Sequence, residues 1–382
     1  MRKGIRTKFS EGGGSPSVKR SSFELLRILA MYGIIIFHHF GNKTMNCFVE
    51  LPKGFSADNY FYDIVNNSTG SLELVTLVMD FCYGHFGDGG NFLFMMITGY
   101  FLFGKTLSLE KRIKPLLKTL FIVFFWGCVI TVIYAVAIKF FYPFAGVTSY
   151  KPMFEFPNWF SGANMWYFQA YGVFLLIIMP ILKYFEPRLD RKTHKLVMLM
   201  FIALLFLDYT AYLPSIWLSK RLLQFTACYY IGGYIAKYPV SCSIKKLVLA
   251  LIAYISLSLL YLYYWRLGMR RMHGMSGYSY IKVINPVFCC LVFAVLVFLI
   301  FSKINFQSNI VNHIAKATPG IYVFHFKTVS LSFAFAEYWW HDWSPQGYFS
   351  FILLNSMLLF VVGYMIDQFR QRAYTRLQKQ SL

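Results

Sequence analysis

The chain has 382 residues, is 57% hydrophobic and only 14% charged, and carries a formal charge of +21. With 41 Phe and 28 Tyr it is too apolar for an ordinary soluble domain. The positive balance does not call for nucleic acid, because basic loops that orient membrane spans and meet anionic lipid account for it.

Residues 1–22 are polar and basic, with a tract from Gly12 to Ser17 of Gly, Ser and Pro, and are expected to form a disordered cytoplasmic tail. The stretch from Phe23 to Phe40, FELLRILAMYGIIIFHHF, is apolar at membrane length yet holds Glu24, Arg27, His38 and His39. Ionisable groups in a hydrocarbon slab usually face a protein interior or a cavity and mark a functional route. Arg27 and His38 lie within about 20° of one helix face and roughly 16 Å apart along the axis. That spacing suits a site that reaches from one side of a membrane to the other.

Further apolar runs follow over about 86–103, 116–142, 165–182, 196–213, 222–238, 247–265, 284–301, 318–337 and 348–366. Inside lipid each backbone N–H and C=O must be satisfied within the segment, and these runs are too long for barrel strands. The expected fold class is therefore all-α, a polytopic transmembrane helical bundle of about 10 spans. Residues 23–369 would form one membrane domain and 370–382 a basic cytoplasmic tail. With both ends inside, N-in and C-in, about 25 of the 37 Lys and Arg fall on the inner side and about 9 on the outer. The expected location is a cell membrane, crossed many times, with membrane lipids as partners.

Several smaller features carry less. Gly87 to Asn91, GDGGN, reads as a turn before the second span. Cys47 and Cys82 are candidates for an outer disulfide, and Asn42, Asn66 and Asn67 each begin an N-x-[ST] triplet. No metal is expected: His38 and His39 are adjacent and diverge by about 100°, unlike a zinc-binding pair on one face. His39 reads as an interfacial histidine solvated near the headgroups.

The residues resemble the integral-membrane acyltransferase-3 family, whose mark is an Arg, ten residues and a His in the first span. Here that is Arg27, ILAMYGIIIF, His38. Phe94 to Tyr100, FMMITGY, is similar to the family's F-x-x-x-S-G-[FY] segment, with Thr98 keeping the hydroxyl of the usual Ser. Trp166 and Tyr167, before an apolar run ending at Pro180, look like its tryptophan-bearing fourth span, and Gly320, Tyr322 and His325 match its late G-x-Y-x-x-H. The matches run in family order over most of the chain.

The resemblance implies an O-acyltransferase that moves an acyl group, usually acetyl, from cytoplasmic acetyl-CoA or another acyl-CoA. The acceptor would be a hydroxyl of a cell-surface polysaccharide or a lipid-linked glycan precursor. Such transfer needs a base near the attacking hydroxyl, and His38 fits, either as base or as a transient acyl carrier. Arg27 would hold a CoA phosphate, for which its fork of donors is shaped, although Glu24 at i, i+3 could simply neutralise it. Thr98, Trp166, Tyr322 and His325 are candidate cavity or substrate-side residues, and Gly87 to Asn91, if more than a turn, could form a loop close to the acceptor. The alternative reading is a transporter or flippase for a glycan or lipid-linked intermediate, since helical bundles with intramembrane charge also serve transport.

Overall fold

The computed structural model describes residues 20–40, 71–145, 166–210, 217–271, 286–339 and 344–380. Among them every regular element is helical: α1 (Ser21–Phe40), α2 (Ser71–Leu102), α3 (Leu109–Ala145), α4 (Trp166–Val173), α5 (Met179–Phe185), α6 (Arg191–Thr210), α7 (Trp217–Lys237), α8 (Ile244–Arg271), α9 (Pro286–Lys303), α10 (Asn309–Ala315), α11 (Thr318–Trp339) and α12 (Pro345–Gln380). A π-helical turn, Phe174–Ile178, joins α4 to α5. It precedes Pro180, which has no N–H to donate and whose ring crowds the turn before it, so the backbone ladder widens there.

Helix starts follow local chemistry. Ser308 and Ser344 accept hydrogen bonds from backbone N–H groups three residues on, at 3.3 and 3.1 Å, opening α10 and α12. Asp190 does the same for α6 through the Thr193 N–H at 2.8 Å. Thr193, by its side chain first and then its backbone, holds the Asp190 carboxyl below the usual carboxylate range.

A helix overlies each of the predicted apolar runs. By length and composition, five described segments can cross a membrane: Ser21–Phe40, Leu109–Ile133, Trp166–Arg188, Ile244–Tyr264 and Pro345–Arg376. Large apolar side chains such as Leu117, Phe124, Leu249, Leu257, Leu354 and Leu358 stand exposed on these helices. In water such a surface would be an aggregation hazard; facing acyl chains it is the expected exterior of a multi-pass membrane protein.

The helix α1 runs through the middle of the bundle. Its residues enter all three apolar cores: Phe23, Leu26 and Ala30 the first, Met31, Ile34 and Ile35 the second, Ile36 and Phe40 the third. Half of it is buried, whereas only 6% of the α8 span is, which makes α8 peripheral.

Two expectations are corrected here. Gly87 to Asn91 is no turn: it lies inside α2, which begins at Ser71 rather than near residue 86. The glycines serve packing, since a Cβ on Gly90 would sit 2.9 Å from the Ala30 carbonyl and 2.7 Å from Ile34, so α1 and α2 meet backbone against side chain. Nor is His39 solvated. It is 1% exposed. Its Nδ1–H donates to the Ile35 carbonyl at 2.8 Å and its Nε2 accepts from Asn355 Nδ2 at 2.8 Å. Asn355 also donates to Ser332 Oγ at 2.7 Å, which ties α1, α11 and α12 together.

The first helix begins at Ser21, and α12 continues to Gln380 without a break at residue 369. Arg370 is 1% exposed and forms a two-point ion pair with Asp367, Nε to Oδ1 at 2.6 Å and Nη2 to Oδ2 at 2.9 Å. Residues 1–19, Cys47 and the triplets at Asn42, Asn66 and Asn67 lie outside the described residues. Cys82 is a buried thiol in α2.

Candidate active site

A cavity of about 340 Å³ opens between α1, α2, α3, α4, α10 and α11, lined among others by Glu24, Arg27, Asn91, Thr98, Tyr167, Tyr171 and Tyr322, with Lys118 and Lys316 also on its wall. Four of the residues singled out in the sequence, Glu24, Arg27, Thr98 and Tyr322, therefore share one space. Arg27 Nη1 donates to both oxygens of Glu24, at 2.8 and 2.9 Å. The neutralising pair is real, and it spends one corner of the guanidinium while the Arg27 side chain remains 32% exposed. Three cations against one carboxylate leave the lining net positive, which suits an anionic ligand. Thr98 turns its hydroxyl proton onto the Phe94 carbonyl at 3.0 Å, leaving the oxygen lone pairs as its remaining polar function.

His38 and His325 are off the cavity wall but joined to it. Tyr322 on the wall lies with its ring 5.5 Å from His325, and His325 lies 5.1 Å from His38, centroid to centroid. His325 is fully buried, and its Nδ1 contacts the Ile321 carbonyl at 3.1 Å. A carbonyl can only accept, so Nδ1 carries the proton and Nε2 presents a lone pair. The structure thus sets Arg27, Tyr322, His325 and His38 in a row, a cationic cavity leading to two imidazoles.

Trp166 is not part of that row. The Arg221 guanidinium lies over its ring at 4.1 Å, and Arg221 pairs with Asp88 at 3.1 Å. Its neighbour Tyr167 is the residue that lines the cavity and touches Tyr322, ring centroids 5.8 Å apart. Sequence reasoning missed Lys118, Tyr171, Lys316 and Arg221, and placed Asp88 and Asn91 only in a loop that could lie close to the acceptor. The signal for Asp88 and Asn91 was present, as polar residues beside a helical apolar run, but the surrounding glycines were read as a turn. Asn355 was equally legible as an amide inside the last apolar run.

The motif glycines have a packing reason. On Gly320 a Cβ would collide with Asp367 Oδ1 and Trp126 Nε1, two atoms that are themselves hydrogen-bonded at 3.3 Å. The absence of a side chain lets α3, α11 and α12 close around that bond. Because Asn355 supplies the donor that His39 Nε2 requires, Asn355→Leu is expected to lose about 1–3 kcal/mol of stability by orphaning a buried acceptor. Thermal unfolding of the detergent-solubilised protein checks this, and an unchanged midpoint would contradict it.

Among the described residues no group of three or more His, Cys, Asp or Glu side chains gathers to hold a metal ion. No curated protein and no solved structure matches the chain. The family model described as an acyltransferase domain does match, over residues 20–366, a span that takes in every residue of the cavity and both imidazoles. With that match and its apolar helices, the chain belongs to the acyltransferase-3 family and is a membrane acyltransferase.

Proposed function

We propose that the protein moves an acyl group, acetyl first among candidates, from cytoplasmic acyl-CoA to a hydroxyl of a cell-surface polysaccharide or its lipid-linked precursor. The observation that supports this most is the unbroken row from the cationic cavity to the paired imidazoles. The cavity volume lies at the lower end of the small-ligand range, enough for a chain-like portion of a donor. Arg27 meets a phosphate of CoA, with Lys118 and Lys316 adding charge, and the pantetheine arm runs along Thr98 and Tyr322 toward the histidines.

At the far end His38 takes the proton of the acceptor hydroxyl as its oxygen attacks the thioester carbonyl. The C–S bond then breaks, and the sulfur leaves as the CoA thiol with a proton returned from the imidazole. The His325 ring lies beside that of His38, 5.1 Å away centroid to centroid, and in this reading its Nε2, the nitrogen away from the Ile321 carbonyl, helps to carry the proton.

Arg27→Ala tests the donor end. Loss of a charged hydrogen bond to phosphate is expected to raise the KM for acetyl-CoA by about 10-fold to 100-fold. The variant also leaves the Glu24 carboxylate facing the donor, which adds repulsion. Transfer of radiolabelled acetyl to surface polysaccharide in membranes, followed against acetyl-CoA concentration, gives the answer. A KM equal to wild type would remove Arg27 from the donor site. A wild-type chain that labels no polysaccharide from acetyl-CoA, succinyl-CoA or another acyl-CoA, while glycan export depends on it, would favour transport instead.

A further inference from the structure

Among the described residues two ion-pair clusters are sealed inside the bundle, and a third differs from them. In the first, Glu186 accepts from Lys183 Nζ at 2.8 Å, Tyr229 Oη at 2.8 Å and the Gly104 N–H at 2.7 Å, with a side chain 1% exposed. The second is Asp367 with Arg370, side chains 0% and 1% exposed, where both carboxylate oxygens and two guanidinium nitrogens are engaged. Both are closed clasps. The third joins Asp88 of α2 to Arg221 of α7, and here the side chains are 34% and 20% exposed.

Arg221 Nη1 serves both Asp88 Oδ1 at 3.1 Å and Gln224 Oε1 at 2.9 Å. Gln224 is 1% exposed and Asn91 7% exposed, yet among the described residues Gln224 Nε2 and Asn91 Oδ1 are buried without a hydrogen-bond partner. Buried polar atoms of this kind are rare because each carries a desolvation cost unless something completes it. One is a donor and the other an acceptor. Each lies three residues from a member of the ion pair, so both share the helix faces of Asp88 and Arg221.

The position of the cluster is set by the packing of α2 on α1. Gly87 packs on Phe37, each one residue before Asp88 and His38, and Gly90 packs on Ala30 and Ile34. The two helices therefore run antiparallel, with Asp88 within about one turn, roughly 5 Å along the axis, of His38. Asn91, one turn further along, is on the wall of the donor cavity.

From this we infer that Asp88, Arg221, Gln224 and Asn91 form the subsite for the hydroxyl-bearing acceptor, a neutral sugar ring presented to His38. This rests on the acyltransferase reading above and names its acceptor side. Charge decides the ligand class. The donor cavity is net positive, but Asp88 and Arg221 cancel, so this cluster offers both donors and acceptors without attracting phosphate. A vicinal diol matches that supply: one hydroxyl donates to the Asp88 carboxylate, the other accepts from the guanidinium, and Gln224 and Asn91 complete the set. Trp166 positions Arg221 by carrying its guanidinium over the indole.

The test uses membranes containing the full chain, acetyl-CoA, and surface polysaccharide from the producing cell stripped of its esters by mild base. Asp88→Asn and the near-isosteric Gln224→Met are compared with wild type at matched protein level. Each is expected to raise the KM for polysaccharide by about ten-fold. The KM for acetyl-CoA is expected to stay as in wild type. An unchanged polysaccharide KM, or a rise in the acetyl-CoA KM instead, overturns the assignment. Should Asp88→Asn fail to accumulate, Gln224→Met keeps the ion pair and still decides the matter. Wild type that labels no polysaccharide from acetyl-CoA, succinyl-CoA or another acyl-CoA counts against the proposed function, whereas active wild type with unaltered variants refutes the acceptor subsite alone.

Discussion

Membranes carrying His38→Ala are expected to transfer acyl groups about 10²–10⁴-fold more slowly than wild type at the same protein level. The drop reflects loss of the group that takes the hydroxyl proton, so it should persist at saturating donor and saturating acceptor. Arg27→Ala behaves differently, with its defect relieved by excess acyl-CoA. The helix itself should survive, because α1 is held by Leu26, Met31, Ile34 and Ile35, which are buried, and by the His39 to Asn355 hydrogen bond. His38→Gln sharpens the result: the amide keeps polarity and nearly the size but cannot take the proton at neutral pH. A protein that only passed a glycan across the bilayer would tolerate that change, and an acyltransferase using His38 chemically would not. His325→Gln should be milder than His38→Gln if His325 only shares the proton. If it proves as severe, the two imidazoles act as a unit, and their single losses would not add.

How much of this was legible in the sequence depends on range. The importance of α1 was legible because charge in an apolar run is conspicuous, and Arg27 and Glu24 do line a cavity. His38 was separable from His39 only by spacing. The role of His39 was not, since its partner Asn355 lies 316 positions away. The same limit explains α2. Its first turns contain Asp80 and His85, which lower the local hydropathy, yet His85 is buried, with Nδ1 on the Phe81 carbonyl at 2.9 Å and Nε2 on Tyr254 at 2.9 Å. Polar residues satisfied within their own helix and by one neighbour do not end it. Trp166 was noticed for its type, but the guanidinium over its ring belongs to a helix that only tertiary packing brings near. Glycines showed the widest gap: a turn and a tight helix contact both ask for Gly, and local sequence does not say which.

That last point yields the largest expected effect on stability. Gly99 of α2 and Gly232 of α7 face each other in a reciprocal crossing: a Cβ on Gly99 would strike the Tyr229 carbonyl, and one on Gly232 would strike the Met96 carbonyl and lie 2.9 Å from the Tyr100 nitrogen. All of these obstacles are backbone, so no rotamer change relieves them; the helices must part. Parting them opens the first core at Phe92, Met96, Phe225 and Tyr229, and moves Thr98 and Asn91 relative to α7. Gly232→Ala is therefore expected to destabilise by about 3 kcal/mol or more, at or beyond the upper end of ordinary overpacking, despite adding a single methyl group. Gly84→Ala in the same helix α2 meets nothing within 4 Å among the described residues and should be neutral or slightly stabilising, since Ala favours a helix by up to about 1 kcal/mol. Thermal unfolding in detergent separates the two. Equal midpoints for both variants would show that α2 and α7 lie further apart than this geometry, and with them the Asp88 to Arg221 bridge that spans the same pair of helices.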